Sequence, residues 1–142
     1  MAKISFFKEE VQFNLPDKTR LINLIENIIH QETKKEIKQI SFIFCSDTYL
    51  YQLNKNYLHH NSLTDILTFD YSENEGILES EIYISIDRIL ENSKKYNVSF
   101  KKELHRVLIH GILHLSGFDD KTEHQRQKMR EKENEYLTLY YE

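Results

Sequence analysis

Two histidines four residues apart are the most chemically informative pair in the chain. His110 and His114 lie in a segment with a helical pattern, and this spacing places both imidazoles on one helix face, one turn apart. Two imidazoles held in this way can occupy adjacent coordination positions of one metal ion. Gly117 then permits a sharp turn of the chain. The carboxylate of Asp119 or Asp120 could therefore return to the same ion.

A site of two imidazoles and one carboxylate is typical of a catalytic metal. Three protein ligands leave a coordination position open for water, which bound zinc acidifies to near neutral pH. The same ligand set suits other first-row metals, so ligand type alone does not identify the ion. An isolated histidine pair at this spacing is more often structural or exposed. The glycine and the acidic pair that follow favour the metal interpretation.

The spacing is also similar to the metzincin peptidase motif, H-E-x-x-H-x-x-G-x-x-H. Gly111 stands where those enzymes carry the glutamate that acts as general base. A peptidase or amidase built on this segment would therefore lack its base. We keep another metal-dependent hydrolase as an alternative, with peptidase activity disfavoured.

A longer resemblance covers roughly residues 50–120. Residues 110–120 (HGILHLSGFDD) closely resemble the signature H-G-x-L-H-L-x-G-Y-D-H of the YbeY family. Residues 64–69 (TDILTF) resemble the family's T-D-V-L-S-F, and residues 53–57 (LNKNY) match its L-N-x-x-Y. Residues 80–85 resemble its G-D-I-x-I-S strand, and all these blocks stand in the family's order.

This resemblance implies a fold, a cofactor and an activity. YbeY proteins are bacterial endoribonucleases with a zincin-like fold and one zinc ion. The expected function is zinc-dependent cleavage of single-stranded RNA in 16S rRNA 3′-end maturation and ribosome quality control. The implied partners are rRNA and the ribosome or its small subunit. A second possibility, from a different class, is a ribosome-associated factor in which Zn²⁺ is structural.

The third ligand is where the chain departs from the signature. The family's third histidine falls on Asp120, and aspartate is a competent zinc ligand, so we predict His110, His114 and Asp120 as the metal-binding and catalytic set. His124 is the alternative third ligand. Asp119, at the family's own aspartate position, is expected to support the site or its turn rather than bind the ion.

The segment before residue 69 carries the second departure. Leu58 stands where the family usually has an arginine thought to help bind or cleave the phosphodiester, which puts arginine-assisted charge stabilisation in doubt. His59 and His60 could supply cationic or hydrogen-bonding help, or could be solvated loop residues. Asp65 could orient a metal-bound histidine or cap the following strand.

Phosphate contacts must come from a local basic patch, because the net charge of the whole chain is −4. Basic residues lie close before and after the pair His110 and His114 in the sequence. Our candidates for RNA binding are Lys101, Lys102, Lys121 and Arg126. Charged runs of this kind are usually solvated helix faces, so each residue alone is a weak candidate.

Composition indicates a water-soluble globular domain. The 142 residues are 39% hydrophobic and 30% charged, which fits one domain over residues 1–142. No apolar run approaches the roughly 20 residues that span a bilayer, and no secretory signal is apparent. Cys45 is the single cysteine, so no internal disulfide can form. A cytoplasmic location, with no membrane association, is the expectation.

The elements that must position the site follow the order β-α-β-α-β-β-α-α-α. We predict strands at residues 4–7, 37–45, 66–71 and 81–86, and helices at about residues 17–29, 47–57, 87–96, 100–115 and 122–140. The expected helix caps are Ser46 or Asp47, Asp87, Ser99, and Thr122 with Gln125. Strands 66–71 and 81–86 should form a hairpin around Gly76. This order predicts an α+β fold with a small mixed sheet flanked by helices.

Overall fold

A computed structural model describes residues 3–58 and 66–141 of the chain. Its elements follow the predicted order. The strands are β1 (Ile4–Glu9), β2 (Glu36–Cys45), β3 (Ile66–Asp70) and β4 (Ile77–Ser85). The helices are α1 (Lys18–Glu32), α2 (Asp47–Leu58), α3 (Ile86–Lys95), α4 (Phe100–Leu115) and α5 (Glu123–Tyr141).

The four strands form one mixed sheet in the order β1-β2-β4-β3. β1 and β4 both run parallel to β2, whereas β3 pairs antiparallel with β4 as the predicted hairpin. The predicted α+β class and small mixed sheet flanked by helices are therefore confirmed. Among the described residues, no helix is both long enough and apolar enough to cross a bilayer.

Helices cover both faces of this sheet. Alternate side chains of β2 and β4, such as Phe42 and Ile82, enter a large core with α1, α4 and α5. On the opposite face, Leu50 of α2 packs with Cys45 and Leu67 in a smaller cluster. α4 is the central helix, and its buried positions run nearly all round it, as expected for a helix packed on several sides. This burial holds the predicted metal-binding helix rigidly.

Strand β4 and its junction with α3 correct two predicted boundaries. The strand begins at Ile77 rather than residue 81, because Ser80 occupies a buried position and hides the apolar alternation. Asp87 is not the cap of α3: the Ser85 hydroxyl accepts from the Arg88 amide at 3.1 Å. β4 passes directly into α3, so its last residue is the one that caps the helix. The Asp87 carboxylate instead accepts from the Asp47 amide.

The other predicted caps are confirmed. The Ser46 hydroxyl accepts from the Tyr49 amide, and the Ser99 hydroxyl accepts from the amide of Lys102, each at 3.1 Å. Thr122 and Gln125 form a reciprocal capping box at the start of α5, with hydrogen bonds of 3.0 and 3.1 Å. Local side chains therefore cap the N-termini of α4, which carries both motif histidines, and of α5, which begins just after Asp120.

His105 is a fully buried histidine of α4, distinct from the pair in the metal-binding motif. Its Nδ1 lies 2.6 Å from the Tyr141 hydroxyl, and its ring packs against Tyr140. Burial, helped by the nearby charges of Lys101 and Arg20, lowers the pKa of His105 to about 4. The imidazole is therefore neutral at pH 7 and contributes to the core as an uncharged ring.

We expect acid to destabilise the fold through His105. The unfolded chain, with a histidine pKa near 6.5, binds more protons than the folded chain as the pH falls from about 6.5 to about 4. Between about pH 7 and pH 5, this group should lower the free energy of unfolding by about 1–2 kcal/mol. Urea unfolding of His105→Phe should show that much less loss than the wild type. His30→Phe is the matched control, because His30 is exposed, and it should lose as much unfolding free energy as the wild type. An equal loss in His105→Phe and the wild type would contradict a neutral, buried His105.

Candidate metal centre

Helix α4 brings the two motif histidines together at its C-terminal end. His110 and His114 have ring centroids 4.6 Å apart, and their Nε2 atoms are separated by 3.1 Å. The side chains are 25% and 30% exposed, although the residues around them on the helix are buried. The pair therefore stands at the surface of a rigid support, accessible to a ligand.

Gly117 turns the chain back towards the histidines. Its φ of +105° lies in the region that favours glycine, and the Phe118 amide donates to the carbonyl of Leu113 at 3.0 Å as the helix ends. This turn carries Asp120 back over the helix end. One Asp120 oxygen, Oδ2, lies 3.4 Å from Nε2 of His110 and 3.5 Å from Nε2 of His114.

The three ligand atoms fit a tetrahedral metal ion. Zinc bound at about 2.0–2.1 Å has ligand atoms about 3.3–3.4 Å apart, and the observed separations are 3.1, 3.4 and 3.5 Å. A carboxylate oxygen and imidazole lone pairs repel one another at such distances unless a cation or a proton lies between them. Three protein ligands also leave a fourth position for water or substrate, as catalytic sites require.

Glu133 of α5 is a further candidate site residue that the sequence motif does not indicate. Its carboxylate is buried, and its Oε2 lies 2.7 Å from Nδ1 of His110. A carboxylate accepts hydrogen bonds, so Nδ1 carries the proton and Nε2 presents its lone pair to the metal position. Carboxylate partners of this kind fix the orientation of a metal-bound histidine and raise its basicity.

Arg106 holds Glu133 in place from the preceding turn of α4. Its guanidinium donates to Oε1 of Glu133 at 2.9 Å and to the Asn134 side chain at 2.8 Å. The buried carboxylate is therefore paired with a cation on one oxygen and with His110 on the other. This chain of contacts ties the position of the ligand to the packing of α4 against α5.

The remaining predicted site residues lie elsewhere. His124 is exposed in the first turn of α5 and does not belong to the cluster of possible metal ligands. Asp119 is also exposed, with no hydrogen bond or ion pair to any residue in the described ranges. Asp65, His59 and His60 lie outside the described residues.

A cleft of about 480 Å³ between α4 and α5 leads away from the metal centre. His110 and Asp120 line it together with two of the predicted RNA-binding residues, Lys102 and Arg126. Lys101 does not line this cleft; its ammonium lies 3.4 Å from Asp17, near the start of α1. Lys121 is exposed and also stands apart from the cleft.

Gly111 faces the sheet rather than the metal centre. A Cβ atom built there would lie 2.8 Å from Cδ1 of Ile66 and 3.5 Å from Cγ2 of Ile82. The position that carries the general base in metzincins is therefore closed here by hydrophobic packing. The absence of a glutamate has a structural reason, which adds to the case against a peptidase of that type.

We expect Gly111→Glu to disrupt the fold without creating peptidase activity. A carboxylate forced between two isoleucines would be buried and unpaired, with an expected cost above about 3 kcal/mol in unfolding free energy. Gly111→Ala is the matched control. Its methyl is too close to one atom only, the terminal Cδ1 of Ile66, and it improves helix propensity, so its effect should stay within about 1 kcal/mol. Urea unfolding measures both, and a Gly111→Glu chain as stable as Gly111→Ala would contradict this packing.

Comparison with known proteins identifies the family. The profile of the Endoribonuclease YbeY family matches residues 4–141. A relative named Endoribonuclease YbeY from Christiangramia forsetii is 46% identical over 140 residues, which covers 99% of this chain and 96% of the relative. Its counterpart from Amoebophilus asiaticus is 43% identical over 136 residues, covering 96% of this chain and 92% of the relative.

A solved structure agrees with this result. The solution structure of a Thermotoga maritima protein superposes with a TM-score of 0.61 at 30% sequence identity, covering 97% of this chain and 89% of the other. Sequence and fold thus agree over nearly the whole length, well beyond the motif of residues 110–120. The chain belongs to the Endoribonuclease YbeY family.

Proposed function

We propose that this chain is an endoribonuclease whose hydrolytic centre is a metal ion held by His110, His114 and Asp120. The RNA-cleaving activity follows from the family. The observation that supports this location of the centre is the triangle of three ligand atoms at one end of a cleft that contains basic side chains. An RNA phosphodiester carries the charge that both features attract.

The chain's own residues prepare the site for phosphate chemistry. A bound divalent metal would polarise a phosphate oxygen and make a water molecule acidic. Glu133 keeps the proton of His110 on Nδ1, which leaves Nε2 available to the ion. Asp120 would supply the third ligand and offset part of the charge of that ion. Lys102 in the cleft supplies positive charge for the RNA backbone, and Arg126 can add to it if it leaves its ion pair with Glu123.

We further propose zinc as the ion and rRNA as the substrate. Two imidazoles and a carboxylate oxygen at tetrahedral spacing suit zinc, although other first-row metals share this preference. Cleavage at the 3′ end of 16S rRNA, on the ribosome or its small subunit in the cytoplasm, is the role that the family suggests. Leu58 stands where the family usually has an arginine, so no arginine at this position can stabilise transition-state charge here.

Metal removal and reloading tests this proposal. We expect chelator-treated protein to lose cleavage of a single-stranded RNA and to recover it when about one equivalent of Zn²⁺ is added. Base-paired RNA of the same sequence should be cut more slowly. Cleavage that persists in metal-free protein would overturn the proposal. Protein that binds zinc tightly yet never cleaves RNA would favour the alternative, a ribosome-associated factor with structural zinc.

A further inference from the structure

We propose that the α4–α5 cleft holds the RNA strand on one side of the scissile phosphate, with Lys102 and Arg130 as phosphate contacts and Tyr96 as a stacking surface for a base. This inference rests on the proposed function, because it places the scissile phosphate at the metal centre. The RNA strand would then run from the metal centre along this cleft. The α4–α5 cleft denotes here the cavity of about 480 Å³ described above.

The basic residues of the cleft form two ladders at helical spacing. On α4, Lys102 and Arg106 precede His110 by eight and four residues, so all three share one face of the helix. On α5, Arg126 and Arg130 are likewise four residues apart. All five side chains line the same cleft. A strand with one phosphate at the metal centre can therefore lie between two rows of cations.

Ion pairing separates the available cations from the occupied ones. Arg106 is paired with Glu133 at 2.9 Å, and Arg126 with Glu123 at 3.0 Å. Lys102 and Arg130 are exposed and have no ion-pair partner within residues 3–58 and 66–141. They are the cleft cations that can neutralise phosphate without first breaking an internal pair. In a chain whose net charge is −4, two such cations in the cleft that reaches the metal centre form a local attraction for RNA.

The distance along α4 between Lys102 and His110 indicates which phosphate of the RNA Lys102 would contact. Lys102 and His110 are separated by eight residues, or roughly 12 Å along the axis of α4. That length exceeds one nucleotide step, so Lys102 meets a phosphate beyond the immediate neighbour of the scissile one. The cleft volume lies within the range of sites that enclose a ligand of nucleotide size. The contacts should therefore matter more for a longer RNA than for a short one.

Tyr96 supplies an aromatic face to the same cleft. Tyr96 follows α3, is 58% exposed and lines the cleft. The Lys95 ammonium lies 5.6 Å from its ring centroid, which keeps positive charge beside the ring. Exposed tyrosines beside basic grooves stack bases without regard to sequence. A base attached to a bound phosphate can lie on this ring.

The test compares Lys102→Gln/Arg130→Gln with Lys128→Gln. Lys128 is exposed on α5 but does not line the cleft, so its variant is the control for loss of one positive charge outside the cleft, against the two that the double variant loses. Binding of a single-stranded RNA of roughly ten nucleotides is measured by fluorescence anisotropy over a range of salt concentrations. We expect the double variant to bind about 10- to 100-fold more weakly and to lose about 1.4 from the slope of log affinity against log salt. Lys128→Gln should match the wild type.

Two further readouts keep the outcomes distinct. The double variant should have a higher KM than the wild type, and this difference should shrink as the RNA is shortened. Its metal content should be unchanged, because neither Lys102 nor Arg130 belongs to the ligand set. Tyr96→Ala should weaken binding about 5- to 100-fold, whereas Tyr96→Phe keeps the ring and should retain affinity. A double variant that binds with the affinity and salt slope of the wild type overturns this inference. If the wild type fails to cleave RNA, the proposed function fails, and the binding assay still decides on the cleft.

Discussion

The His114→Ala variant is expected to lose both its metal ion and its RNA cleavage. In the wild type, Nε2 of His114 lies 3.1 Å from Nε2 of His110 and 3.5 Å from Oδ2 of Asp120, as one corner of the ligand triangle. Alanine offers no atom to replace it. Loss of a hydrogen-bonding partner behind a ligand already costs about 10- to 100-fold in metal affinity or activity, so loss of the ligand itself should exceed about 100-fold in kcat/KM.

Folding measurements separate this effect from a damaged structure. His114 is partly exposed, and without metal its Nε2 faces other acceptor atoms, so His114→Ala should unfold at the wild-type urea concentration in metal-free buffer. Added Zn²⁺ should raise the unfolding midpoint of the wild type but not that of the variant. His124→Ala is the matched control and should behave as the wild type. Full cleavage by His114→Ala would contradict the assignment.

Glu133→Gln is expected to weaken metal binding and RNA cleavage by about 10- to 100-fold without loss of the fold. Glutamine keeps the shape of the side chain but removes the charge that pairs with Arg106 and strengthens the hydrogen bond from His110. Metal affinity falls because the imidazole becomes a weaker donor to the ion and is less firmly oriented. Competition with a metal-binding dye measures this affinity, and single-turnover cleavage measures the activity.

The matched control for Glu133 is Glu131→Gln on the exposed side of the same helix. It changes the net charge by the same amount and should leave metal affinity unchanged. Arg106→Gln should also weaken metal binding, since the guanidinium no longer holds the Glu133 carboxylate in position against His110. Equal metal affinity in Glu133→Gln and the wild type would show that the contact with His110 is structural only.

The element order could be read from the sequence because local patterns specify it. Ser99 and the Thr122–Gln125 pair cap helices by contacts within four residues, and the hairpin connects two neighbouring strands. The boundary at Ser85 was different, since a strand that runs directly into a helix leaves no loop to mark the change. The start of β4 was hidden for a different reason: Ser80 is a polar residue in a buried position, so it interrupts the apolar alternation that marks a strand.

The metal-binding pair was predictable because both residues lie on one helix. Glu133 was not, because its contact with His110 spans 23 residues and depends on how α4 packs against α5. A signal was nevertheless present. Glu133 occupies the buried stripe of α5 with Met129, Tyr136, Leu137 and Tyr140, and an acidic residue on such a stripe needs a partner. The cleft depends on the same packing, so only the structure shows that Arg130 lines it.

Metal content of three proteins tests the central assignment most directly: the wild type, Asp120→Ala and His124→Ala, purified in parallel and analysed for bound elements. With His110, His114 and Asp120 as ligands, the wild type and His124→Ala should each carry about one ion per chain, and Asp120→Ala should carry little or none. An Asp120→Ala protein that keeps its ion while His124→Ala loses it would contradict this ligand set and make His124 the third ligand.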